Sequence, residues 1–162
     1  MNLEDFIIAP REFRTDDWHL GNQIQNKIIE NGIVLLFVSD YRGARGSAEM
    51  QDFDLVRKHL YRLSTLDFET PLCDLGDLIS GKTIQDTHYI LQEILSLCHY
   101  KNAIPVIIGG SVDLSYALFS ALNFHYKNID YTHISNVVSL INDDEVISEK
   151  NFLSKVFSTK NF

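Results

Sequence analysis

Basic charge, cysteine, proline and long apolar runs are all scarce in this 162-residue sequence, and each shortage excludes something. With 14 Lys and Arg against 22 Asp and Glu the formal net charge is −8, so nucleic-acid phosphates and anionic membrane surfaces repel the chain. Neither nucleic acid nor membrane is expected as a partner. The longest apolar runs, Ile33–Val38 and Ile104–Ile108, fall far short of the roughly 20 residues that span a bilayer. The amino terminus, Met1-Asn2-Leu3-Glu4-Asp5, carries acid where a secretory signal carries Lys or Arg, and the expected location is the cytoplasm. Cys73 and Cys98 are not spaced as a redox or metal-binding pair, and reduced, buried thiols are expected. No repeat, low-complexity tract or Gly/Ser/Pro-rich linker divides the sequence. It reads as a single domain over residues 1–162, with residues 1–31 forming an amino-terminal arm and lead-in helix.

What is present is apolar material: 45% hydrophobic and 11% aromatic residues suffice for a real core. Its distribution alternates between continuous runs and helical spacing. Ile33–Val38 predicts a strand covered on both faces. A polar loop, Asp40–Ser47, then leads to a helix over Asp52–Leu63, with Phe53, Val56, Leu60 and Leu63 as its apolar face. Leu72–Leu75 is a weaker strand that ends in a turn at Gly76 and Asp77. From Thr83 to His99, Ile84, Thr87, Ile90, Leu91, Ile94, Leu95 and Cys98 line one side of an amphipathic helix. Ile104–Ile108 is the clearest strand and runs straight into Gly109-Gly110-Ser111. A helix over Leu114–Phe124, a buried strand over Ile134–Leu140 and a short helix over Asn151–Phe157 complete the pattern. Strands alternating with helices imply right-handed crossovers and an open, mainly parallel sheet, an α/β architecture of three αβα layers.

In such sheets the loops at the carboxyl ends of strands carry the chemistry. One of them has a recognisable frame. Ile104-Pro105-Val106-Ile107-Ile108-Gly109-Gly110-Ser111-Val112-Asp113-Leu114-Ser115 resembles the strand and turn of the ureohydrolase family, the arginases, agmatinases and formimidoylglutamases, where a Pro-led strand ends in Gly-Gly-Asp-His-Ser. Further pieces follow in the family's order: Gly43-Ala44-Arg45-Gly46-Ser47 with Val56–Leu60 after it, Cys73-Asp74-Leu75-Gly76-Asp77, and the softer Asp17-Trp18-His19-Leu20-Gly21 of bacterial formimidoylglutamase-like members. The similarity covers about residues 17–145, the front part of the family's fold. It implies an arginase-like sheet that this chain is expected to leave incomplete, and an oligomer or another chain completing it.

The resemblance also implies a pair of manganese ions that generate hydroxide for attack on a guanidino or formimino carbon. Here the chemistry departs from the frame. Ser111, Val112 and Asp113 occupy the family's Asp-His-Ser positions, and Ile141, Asp143 and Glu145 occupy those of its Asp-x-His-x-Asp motif. Valine and isoleucine offer no lone pair to a cation. Asp113, Asp143 and Glu145 are weak metal candidates, the last two more simply read with Asp144 as a solvated acidic turn. The six histidines show no i,i+4 metal pair, and Ser111 lies in no Gly-x-Ser-x-Gly elbow. Arg42, Gly43, Arg45, Gly46 and Ser111 remain as candidates for binding a carboxylate ligand, by backbone N–H groups and a guanidinium. The favoured reading is a ureohydrolase-fold protein without manganese-dependent hydrolysis, needing no cofactor and serving binding or assembly. The alternative is a divergent hydrolase of guanidino or formimino C–N bonds that uses manganese with ligands outside this segment.

Overall fold

The structure is a computed structural model that describes residues 3–65, 69–142 and 146–159. These form two compact units, the first built from residues 1–39, 49–79 and 97–109 and the second from 40–48, 80–96 and 110–162.

The first unit holds the sheet. Its strands are β1 (Ile7–Ile8), β2 (Ile33–Val38), β3 (Leu72–Leu78) and β4 (Ile104–Gly109), in the order β1-β3-β2-β4. β2 runs parallel to β3 and β4, and β1 is antiparallel to β3, so the sheet is open and mostly parallel as expected. β2 is central because its run Val34–Val38 is buried on both faces, a composition that suits no edge. Leu35 and Phe37 pack with Leu20, Phe53 and Leu72 into a cluster.

Two expectations about the sheet are corrected. β3 does not turn at Gly76 and Asp77 but continues to Leu78, with a register shift against β2 between Leu35 and Phe37. Gly76 sits there at φ +109°, and a Cβ on it would overlap the Ile8 carbonyl of β1, so only glycine lets the strand pass this close. The fourth strand is β1, not Ile134–Leu140. That run is irregular, with Ile134 93% and Val138 74% exposed, because its β-rich composition finds no ladder partner among the described residues. The lead-in helix expected within residues 1–31 is also absent among the described residues. Single 3-10 turns at Leu3–Asp5 and Leu20–Asn22 stand in its place. Backbone bonds Leu20 N–H to Leu63 O and Gly21 N–H to Tyr61 O fix the arm, while Trp18 stays exposed.

Helix α1 (Asp54–Leu60) is shorter than the sequence suggests, and its expected apolar face is inward only at Phe53 and, in part, Leu60. Val56 and Leu63 are exposed, whereas Phe53, Arg57 and Tyr61, at i, i+4 and i+8, are buried. Arg57 takes the place expected for Val56 on the inward side. Its guanidinium lies 4.0 Å from the centre of the Phe37 ring, donates from Nε to Asp74 Oδ2 at 2.8 Å, and pairs through Nη2 with Asp77 Oδ1 at 2.8 Å. Tyr61 donates to the same Asp74 at 2.7 Å, and the Gly76 N–H does so at 2.8 Å. Burial disfavours the Arg57 charge, yet the two aspartates outweigh it and raise its pKa; burial and Asp74 raise that of Tyr61. Cys73 and Cys98 are free and buried, and burial pushes both thiols up to about 12, which leaves them protonated and inert.

The second unit holds most of α2 (Ile84–Tyr100), then α3 (Ser115–His125) and α4 (Phe152–Phe157), close to the expected spans. A reciprocal cap starts α2: Asp86 N–H donates to Thr83 Oγ1 at 3.2 Å and Thr83 N–H donates to Asp86 Oδ2 at 2.8 Å. Among the described residues no helix is long and apolar enough to cross a membrane.

Candidate functional site

The loop Asp40–Ala48, the start of α2 and the turn Gly110–Leu114 all belong to the second unit. Asp40 is fully buried and organises the loop. It accepts from the Arg42 N–H at 3.1 Å, from Arg42 Nε at 3.0 Å and from Nη2 at 2.6 Å. The rest of the guanidinium is spent on α2's approach: Nη1 donates to Lys82 O at 2.7 Å, and Nη2 to Gly81 O at 2.9 Å and Thr87 Oγ1 at 3.2 Å. Arg42 is thus a clamp on the residues before α2, and its donors are engaged. Burial opposes ionisation of Asp40, but the bonds from Arg42 and Thr87 prevail and hold its carboxyl below the usual range.

A depressed carboxyl stabilises the fold above the unfolded-state value of about 3.9 and stops doing so as pH falls through the folded-state value. Asp40→Asn is therefore expected to lose roughly 1.5–3 kcal/mol near pH 7, the worth of hydrogen bonds to a charged group. In urea unfolding at a series of pH values the deficit should shrink below about pH 4. A deficit that stays constant down to pH 2 would contradict the clamp.

Gly43 is buried in the single 3-10 turn Arg42–Ala44, where a Cβ would overlap the Asp113 carboxylate. Gly46 closes the loop by donating its N–H to Tyr41 O at 2.8 Å. Arg45 adopts φ +60° and is exposed, with no ion pair among the described residues. Ser111 is buried, with its N–H 3.0 Å and its hydroxyl 3.3 Å from Asp40 O. The fold therefore gathers Arg42, Gly43 and Ser111 about Asp40 and Asp113, and leaves Arg45 and Gly46 at the surface.

The weak metal candidates part company. Asp113 is fully buried with Oδ2 2.7 Å from His88 Nε2, while Asp143 and Glu145 lie outside the described residues. Among the described residues no three His, Cys, Asp or Glu side chains converge in a way that could hold an ion. Val112 and Ile141 supply no donor, and the Ile141 N–H is bonded to Lys150 O at 3.0 Å. Among the described residues, then, no donor set for a manganese pair is assembled. His88 was not legible as a site residue from its type, yet it falls on the inward face of α2: Ile84, His88, Leu91, Leu95 and Cys98 follow at alternating steps of four and three.

No protein-family model matches the sequence, and no curated protein matches it. Solved structures do. Formiminoglutamase from Trypanosoma cruzi with Mn2+2 superposes with a TM-score of 0.66 at 22% identity, over 91% of this chain and 55% of that one. Formimidoylglutamase from Bacillus subtilis gives 0.64 at 15% identity, over 99% and 55%. An arginase superfamily protein from Trypanosoma cruzi gives 0.59 at 19%, over 82% and 49%. The fold is arginase-like, and the chain spans about half the length of these structures.

Proposed function

We propose that this chain is a cytoplasmic ureohydrolase-fold protein that has lost manganese-dependent hydrolysis, needs no cofactor, and retains its fold for binding or assembly. The observation that carries the reading is the turn after β4. Where the family frame places a metal-binding histidine there is Val112, and the neighbouring carboxylate, Asp113, is consumed by His88. Metal-assisted hydrolysis needs carboxylate and imidazole ligands held open to one cation, and this turn offers neither.

Support for assembly comes from the sheet. β4 pairs with β2 alone among the described residues, and Ile104 and Val106 are 63% and 38% exposed. Parallel sheets are normally covered on both faces, so a second copy or another chain packed against the exposed side chains at this end of the sheet, and not hydrogen-bonded to it as a further strand, fits the pattern.

The test is direct. Purified protein supplied with Mn2+ and with formiminoglutamate, arginine or agmatine is expected to release no product above the metal-only blank, and its sedimentation mass is expected to exceed 18.6 kDa. Manganese-dependent turnover would overturn the loss of catalysis. A strict monomer that binds no other chain would remove the assembly role.

A further inference from the structure

We infer that the His88–Asp113 pair is a metal-independent latch, an internal cross-link that fixes the turn after β4 where the family frame expects coordination to do so. The inference rests on the reading that this chain holds no manganese, and it adds what takes the ion's structural place.

Asp113 has no exposed surface. One of its oxygens, Oδ2, meets His88 Nε2 at 2.7 Å; the other, Oδ1, has no hydrogen-bond partner among the described residues and fills the space that a Cβ on Gly43 would need. An ionised carboxyl accepts and cannot donate, so when Asp113 carries its charge Nε2 is the donor. With one hydrogen-bond partner among the described residues, the buried carboxyl depends on that imidazole for its compensation. Three chain segments meet at this point: the 40–48 loop through Gly43, α2 through His88, and the 3-10 turn Val112–Leu114 through Asp113. The Glu149 N–H, bonded to Gly43 O at 3.1 Å, ties in a fourth. Such a junction is where a bound cation would draw loops together. For Asp113 to serve a cation instead, it would have to leave both the imidazole and the glycine slot.

A double-mutant cycle in urea decides the point. His88→Ala and Asp113→Ala are each expected to lower the folding equilibrium constant, and the double variant should lose less than the sum, with a coupling of about tenfold or more. The melting temperature of the unaltered protein should be the same in EDTA and in Mn2+. If the alanine variants fail to fold, 15N NMR of the unaltered protein still reports the pair through a slowly exchanging His88 Nε2–H. Absence of coupling, or a rapidly exchanging Nε2 proton, would overturn the latch and leave the loss of catalysis untouched. A rise in melting temperature with Mn2+ that requires Asp113 would overturn both.

Discussion

Replacing Arg57 by methionine is expected to destabilise the fold by about 3–5 kcal/mol, the cost of stripping one partner from a buried charge network. Asp74 is fully buried and would keep the Tyr61 hydroxyl and the Gly76 N–H but lose its counter-charge, and Asp77 would lose its ion pair. Methionine fills much of the arginine volume and still lies over Phe37, so the loss would report charge compensation and not a cavity. Urea unfolding followed by far-UV circular dichroism measures it. A shift worth less than about 1 kcal/mol, the range of an exposed ion pair, would mean that the network is solvated and the buried description wrong. Adding Asp74→Asn should recover part of the loss, because the carboxylate left without its cation is the main source of the penalty.

Gly109→Val should cost roughly 3 kcal/mol, at the upper end of what backbone strain alone imposes. Gly109 ends β4 at φ +92°, a conformation that β-branched residues avoid. Its Cβ would also stand 2.5 Å from the Val38 carbonyl and 2.9 Å from the Phe53 ring, against the core of the first unit. The same assay applies, and a loss below about 0.5 kcal/mol, the level of an ordinary surface change, would show that the turn can relax. The effect requires no ligand. The glycine at this position thus answers a need of the backbone itself.

How far the sequence spoke depended on whether the deciding partner was near in the chain. β2, β4 and α2 were legible because each is written in its own residues: continuous apolar, β-prone runs, or a 3.6-residue apolar stripe with Thr83 and Asp86 at its start. Burial of Arg57 was not, because the residues that make it tolerable, Asp74 and Asp77, lie 17 and 20 positions away. A helical wheel therefore favoured Val56 and Leu63, which the fold leaves exposed. β1 has two residues and no local signal; only its pairing with Leu78 and Asp77 makes it a strand. Ile134–Leu140 shows the converse, a β-rich composition without a ladder. At the site, the lack of a donor side chain at Val112 and Ile141 was visible directly, whereas the partner of Asp113 was not. The two residues are 25 positions apart, and nothing but three-dimensional folding selects His88 from six histidines.

One detail of β4 bears on what can pair along its outer border. The Ile104 N–H is bonded to Gly32 O on the β2 side, so in a parallel ladder Val106 and Ile108 face the same way and Pro105, Ile107 and Gly109 face outward. The proline thus occupies a position whose amide would otherwise be offered to any passing strand, and it has none to offer. An uninvited extended peptide laid along this border would meet a gap in its row of donors and gain less from zipping up, which biases the border against runaway fibrillar stacking.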